Sequence, residues 1–156
     1  MPTFVSRAKY ELNMELEDNV YNQVVSLAEE GDDFAENEIF GSAISKYNEA
    51  LDLLPEPKTD WEAATWLYIA LGDALFSEKD FDAALIAYEK ALISPDGTVN
   101  PYIWFCLGEV FYESGNIEKA KTHFMSAYVL DGEEIFKDTK PVYISLIRDE
   151  IDKSSN

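Results

Sequence analysis

The sequence predicts an all-α fold, a solenoid of three helical hairpins closed by a C-terminal capping helix. Two observations carry this. A pattern of glycine, alanine, aromatic residue and alanine occurs three times at constant spacing, and an amphipathic stretch follows the third copy. Composition agrees: 156 residues, 47% of them apolar and 13% aromatic, suffice to bury a core.

The first 18 residues are the least regular. Tyr10, Leu12, Met14 and Leu16 alternate with polar residues, a strand-like period with no evident partner strand. Residues 1–18 therefore read as an arm or as an extension of the first helix, with Met14 an alternative start for the chain.

The repeats follow. Gly31, Gly72 and Gly108 each stand four positions after a large residue (Leu27, Tyr68, Trp104) and three before another (Phe34, Leu75, Phe111). Twelve residues beyond each glycine comes Ala43, Ala84 or Ala120, then Tyr47, Tyr88 or Phe124, then Ala50, Ala91 or Ala127. Glycine inside a helix costs about 1 kcal/mol relative to alanine, so three at one register point to close helix packing. Asn37-Glu38, Glu78-Lys79-Asp80 and Ser114-Gly115-Asn116 break the apolar rhythm between the two helices of each hairpin.

The pattern resembles the tetratricopeptide repeat: large residue, leucine-glycine, tyrosine, then alanine, phenylalanine, alanine and a closing proline. The resemblance covers residues 24 to 132, and within the family it is to small stand-alone bacterial three-repeat proteins. It implies a right-handed solenoid in residues 19–136, with hairpins at about 24–57, 61–98 and 101–134. There are departures. Glu30 replaces the usual leucine, and the closing proline is Pro55, then Pro95 one residue early, then Gly132. Repeat starts near 24, 65 and 101 leave residues 56–60 and 95–100 as longer surface loops. The capping helix is expected over residues 139–153, with Tyr143, Ile144, Leu146, Ile147 and Ile151 as its apolar stripe.

The resemblance also implies a site. In the family, the first helix of each hairpin lines a concave face, and ligands bind there at the second, fifth, ninth, twelfth and thirteenth positions. The first unit then offers Asp32 and Glu36, beside Val25, Ala28 and Ala35. The second offers Trp66, Ile69, Asp73 and Phe76, and the third Tyr102, Phe105, Glu109, Tyr112 and Glu113. The ninth position is acidic throughout (Asp32, Asp73, Glu109), which predicts a row of carboxylates among aromatics. Such a groove suits a basic or amphipathic segment of a partner protein. One branch of the family clamps a peptide carboxylate with lysines and asparagines; Ala28, Asp32, Ala70, Tyr102 and Cys106 stand there instead, without a cation.

Charge points the same way. With 31 acidic and 12 basic residues, the net charge of −19 repels nucleic acid and anionic lipid and attracts basic proteins. No apolar run has the length of a membrane span, Met1-Pro2-Thr3 does not open like a signal peptide, and Cys106 is the single cysteine. A cytoplasmic setting is expected. A homo-oligomer is compatible with the sequence but not implied by it.

Catalytic constellations are not evident. His123 has no second histidine or cysteine nearby for a metal, and Cys106 has only His123 as a candidate base. Glu29-Glu30, Asp32-Asp33 and Glu133-Glu134 are adjacent in sequence, so a helix points them apart, and no phosphate-cradling glycine loop is present. The expectation is a non-catalytic protein-interaction module without metal or cofactor. The alternative is a dedicated neutraliser of one partner, either an immunity protein for a basic toxin or a secretion-type chaperone; an enzyme is the weakest reading.

Overall fold

The apolar periodicity of three to four residues becomes helix throughout. The structure, a computed structural model, describes residues 16–154. It contains α1 (Asp18–Glu36), α2 (Phe40–Asp52), α3 (Glu62–Ser77), α4 (Phe81–Leu92), α5 (Pro101–Glu113), α6 (Ile117–Asp131), α7 (Pro141–Ser145) and α8 (Arg148–Ser154). Single turns of 3-10 helix at Lys58–Asp60, Gly97–Val99 and Gly132–Phe136 join the units, and no strand occurs among the described residues. Helices α1 and α2, α3 and α4, and α5 and α6 pair as hairpins, and α2 packs on α3 as α4 packs on α5. Residues 1–15, most of the segment read as an arm, lie outside the described residues; Leu16 packs against the core.

The glycines explain the hairpins. A Cβ on Gly31 would lie 2.6 Å from the Tyr47 ring, one on Gly72 2.5 Å from Tyr88, and one on Gly108 2.5 Å from Phe124. Each aromatic of a second helix therefore rests on the bare backbone of its own first helix. Tyr47, Tyr88 and Phe124 are buried, as are Ala43, Ala50, Ala84, Ala91, Ala120 and Ala127 around them. Small residues bring the backbones together and the ring fills the space beside them.

The three hairpin turns share one geometry. The N–H of Glu38, Lys79 and Gly115 donates to the carbonyl of Ala35, Phe76 and Tyr112. The N–H of Ile39, Asp80 and Asn116 reaches back to Phe34, Leu75 and Phe111. This pair of hydrogen bonds to the last helical turn needs a left-handed residue, and φ is 60° at Glu38, 64° at Lys79 and 89° at Gly115. The asparagine and aspartate then start the next helix: Asp80 accepts from the Ala83 N–H and Asn116 from the Lys119 N–H, whereas Ile39 makes no side-chain cap.

The loops of residues 56–60 and 95–100 are tied down. Lys58 donates to the Leu51 and Leu54 carbonyls at the end of α2, Trp61 Nε1 to Pro55, Trp104 Nε1 to Thr98, and the Thr65 hydroxyl to Pro95. Gly97 is buried against the Ala91 and Leu92 carbonyls, where no side chain fits.

The C-terminal segment differs from the expected single helix over 139–153. Asp138 adopts a left-handed φ of 61°, helix begins only at Pro141, and it breaks after Ser145 before α8. The Val142 carbonyl accepts from both the Ser145 hydroxyl and the Leu146 N–H at that point. Tyr143, Ile147 and Ile151 still face inward with Phe105, Phe124 and Phe136, forming a second core cluster at this end.

Candidate functional site

The ninth-position carboxylates lie near one another, yet their surroundings differ. The Tyr47 hydroxyl donates to Asp32 Oδ1 at 2.6 Å. Burial, that bond and the charges of Asp32, Asp73 and Glu36 all push the Tyr47 pKa up, so carboxylates from two neighbouring first helices converge on it. Asp32 and Glu36 themselves remain exposed.

Asp73 is enclosed. Tyr88 donates to its Oδ1 at 2.5 Å, Tyr102 to its Oδ2 at 3.1 Å, and the Cys106 thiol lies 3.8 Å from Oδ1. Burial raises the Asp73 pKa, opposed by these three donors. Both oxygens are thus engaged within the protein, and Asp73 is not the open contact expected of it. The Cys106 thiol is pushed well above its usual range by burial and then by the Asp73 charge, which keeps it a thiol. It faces Asp73 rather than His123. His123 is half-buried between the rings of Trp104 and Phe111 and donates from Nδ1 to the Lys119 carbonyl at 2.8 Å.

The third unit is built differently. Phe124 brings no hydroxyl to Glu109. Instead the Tyr143 hydroxyl, from the capping segment, donates to Glu113 Oε2 at 2.8 Å, one turn beyond Glu109. Lys140 pairs with Glu113 at 3.0 Å. Burial, then the Asp73 charge, pushes Glu109 up to about 7, with Tyr143 and Lys140 acting against them.

Of the aromatics expected in the groove, Trp66 is 38% exposed and Tyr102 40%. Ile69, Phe76 and Tyr112 are half-buried, Phe76 against Phe81 and Tyr112 edge-on to Tyr143. Phe105 is corrected: at 5% exposure it packs with Phe124, Phe136 and Tyr143 in the core. The capping segment covers the face of α5 that the family pattern would leave open.

Sequence reasoning missed two residues, Tyr143 and Lys140, because their partners lie about thirty positions away in another element. The tyrosine–aspartate pairs had a signal, since both span fifteen residues. Among the described residues, no group of three or more His, Cys, Asp or Glu is arranged to hold a metal, and no helix is long and apolar enough to cross a membrane.

Stacked antiparallel hairpins, each closed by an aromatic on a glycine, define a helical-repeat protein. Residues 67–92, in the second hairpin, match the tetratricopeptide repeat family directly, and the first and third hairpins share its glycine-on-aromatic closure. Over 65 residues the chain is 37% identical to the chloroplastic PsbB mRNA maturation factor Mbb1 of Chlamydomonas reinhardtii, covering 42% of this chain and 10% of that protein. Over 106 residues it is 26% identical to a TPR repeat-containing protein of Methanocaldococcus jannaschii, covering 67% of this chain and 18% of the relative. The chain thus spans only a small part of the length of these relatives. Among solved structures, it superposes on the type III secretion translocator chaperone SycD of Yersinia enterocolitica with a TM-score of 0.68 and 16% identity, covering 93% of this chain and 92% of that one. The first TPR of Spaghetti (RPAP3), bound to an HSP90 peptide, matches with a TM-score of 0.65 and 15% identity over 86% of this chain and 95% of its own. These structural likenesses are of fold.

Proposed function

We propose that the chain is a non-catalytic protein-interaction module whose concave groove receives a basic or amphipathic segment of a partner protein. The observation that carries this reading is the open end of the carboxylate row. Asp32 and Glu36 stay exposed, the neighbouring first helix presents Trp66, 38% exposed, and the whole chain carries a charge of −19. A Lys or Arg arriving there gains charge-assisted hydrogen bonds from the carboxylates and a cation–π contact from the indole. Long-range attraction speeds its capture. Asp73 and Glu109 act mainly within the fold, so the contact set narrows to Asp32, Glu36, Trp66, Ile69 and Tyr102, with Phe76, Tyr112 and Glu113 towards the capped end. The setting proposed is cytoplasmic.

The test is affinity capture from native extract with the wild type and with Asp32→Lys/Glu36→Lys, two exposed positions, with the variant's helical circular dichroism checked because Asp32 accepts the Tyr47 hydroxyl. The reading expects a basic protein that the wild type retains, that salt weakens through screening over about 8 Å, and that the variant loses. Equal retention by the variant moves the site away from this groove.

A second reading, service to one dedicated partner as a secretion-type chaperone or an immunity protein, draws on the match to SycD over nearly the whole chain. A solved complex of SycD holds a peptide of the translocator YopD. Capture of one partner in a fixed ratio favours this reading, and several unrelated partners favour a general adaptor.

A further inference from the structure

The proposed groove has two unlike ends. At the α1 end Asp32 and Glu36 are exposed, and neither pairs with a cation among the described residues. At the α7 end a pocket of about 330 Å³ opens between the end of α3, the start of α4, α5 and α7. Its rings are Phe76, Phe81 and Tyr143, the first two with centroids 5.4 Å apart. We propose that the partner segment is extended and bipartite: Asp32 and Glu36 hold a Lys or Arg, and about four residues away a large apolar side chain enters the pocket among Phe76, Phe81 and Tyr143. This pattern rests on the groove reading and adds what the partner must carry, and how far apart.

Charge separates the two ends. In the pocket wall two lysines, Lys79 and Lys140, stand against two glutamates, Glu109 and Glu113. Lys140 pairs with Glu113 at 3.0 Å, and the Tyr143 hydroxyl donates to the same carboxylate at 2.8 Å. An arriving ion therefore finds no net charge of opposite sign, and would lose water for little return. The rings remain as the attraction, and they suit an apolar group. The pocket is also within the size range of sites that take such groups. Asp32 and Glu36 offer the reverse: two carboxylates open to solvent, suited to a cation.

Register sets the spacing. Glu36, Ser77 and Glu113 stand at the thirteenth position of the three first helices, and Ser77 and Glu113 both line the pocket. These helices are neighbours: α1 touches α3, and Tyr102 of α5 bonds Asp73 of α3. The pocket thus lies about one and a half helix spacings from Glu36, or about 12–15 Å at roughly 8–10 Å per spacing. An extended chain covers that in about four residues at ~3.3 Å each, and residues four apart share a face. A helical segment would need about nine, at ~1.5 Å each.

The test uses end-blocked peptides of one composition, with a Lys-Arg pair and a Phe placed two, four or nine residues apart. Binding is read by NMR titration of the whole chain. The four-residue spacing should bind about tenfold tighter or more than the others, the worth of burying one large apolar side chain. Ser77→Trp, at an exposed position on the pocket rim, should erase that advantage, as should Ser for Phe in the peptide, which leaves the protein untouched. Asp32→Asn/Glu36→Gln should weaken all three peptides. Equal binding of the three, tightest binding at nine, or an advantage that survives loss of the Phe overturns the bipartite pattern. If binding is still salt-sensitive and lost in Asp32→Asn/Glu36→Gln, the groove reading stands without it. Binding of no peptide, or binding that none of the variants changes, overturns both.

Discussion

The second and third hairpins have the same backbone plan and nearly the same aromatic packing, yet they handle their ninth-position carboxylate in opposite ways. In the second, Asp73 is short, half-buried and bonded by Tyr88 of its own hairpin and Tyr102 of the next. In the third, Glu109 is one methylene longer and lacks an internal hydroxyl, and the Tyr143 hydroxyl of the capping segment goes to Glu113, one turn on. The same position is a hydrogen-bonded junction in one unit and, in the other, a carboxylate that burial and the Asp73 charge push up to about 7. A family position therefore does not carry one role: the partner fifteen residues on, tyrosine or phenylalanine, decides it.

The largest expected effect tests what the two hairpins share. Gly72→Ala or Gly108→Ala puts a methyl into the ring of Tyr88 or Phe124. Overpacking of this kind costs about 2 kcal/mol after the helix-propensity gain of alanine, roughly a 4–8 °C fall in melting temperature. A melting curve unchanged by both substitutions would show that the rings are free to move aside.

Next comes the contrast among hydroxyls. Tyr88→Phe leaves half-buried Asp73 short of a donor, at a cost of about 1–3 kcal/mol. Tyr47→Phe should cost under about 1 kcal/mol, because exposed Asp32 regains water. Denaturant melts of the two variants side by side check this. Equal losses would mean that Asp32 is as enclosed as Asp73.

The smallest effect is in the turns. Lys79→Gly relieves a left-handed residue and should stabilise by up to about 1 kcal/mol, whereas Gly115→Ala should destabilise by a similar amount. Opposite shifts of the urea midpoint are expected, and shifts of the same sign would refute the shared turn geometry.

Much of this was legible. Gly31, Gly72 and Gly108, with their aromatics and alanines, announce the hairpins because backbone contact admits few residue types. Asp32 with Tyr47 and Asp73 with Tyr88 could have been read as pairs from their constant spacing. The core position of Phe105 was not legible: the family pattern places it in an open groove, and only the docking of Tyr143 and Phe136 covers it. Nor was the break between α7 and α8, since an apolar stripe of helical period runs straight through Leu146 and Ile147. That stripe records which side chains face inward and not whether the backbone between them stays helical.

The three tryptophans are placed unequally. Trp61 and Trp104 each spend their indole N–H on a loop carbonyl, whereas Trp66 stands on the proposed concave face and is 38% exposed. The chain thus carries its own optical probe. In a variant keeping Trp66 alone, emission colour and quenching report directly on whether the groove is wet or occupied, with no label attached.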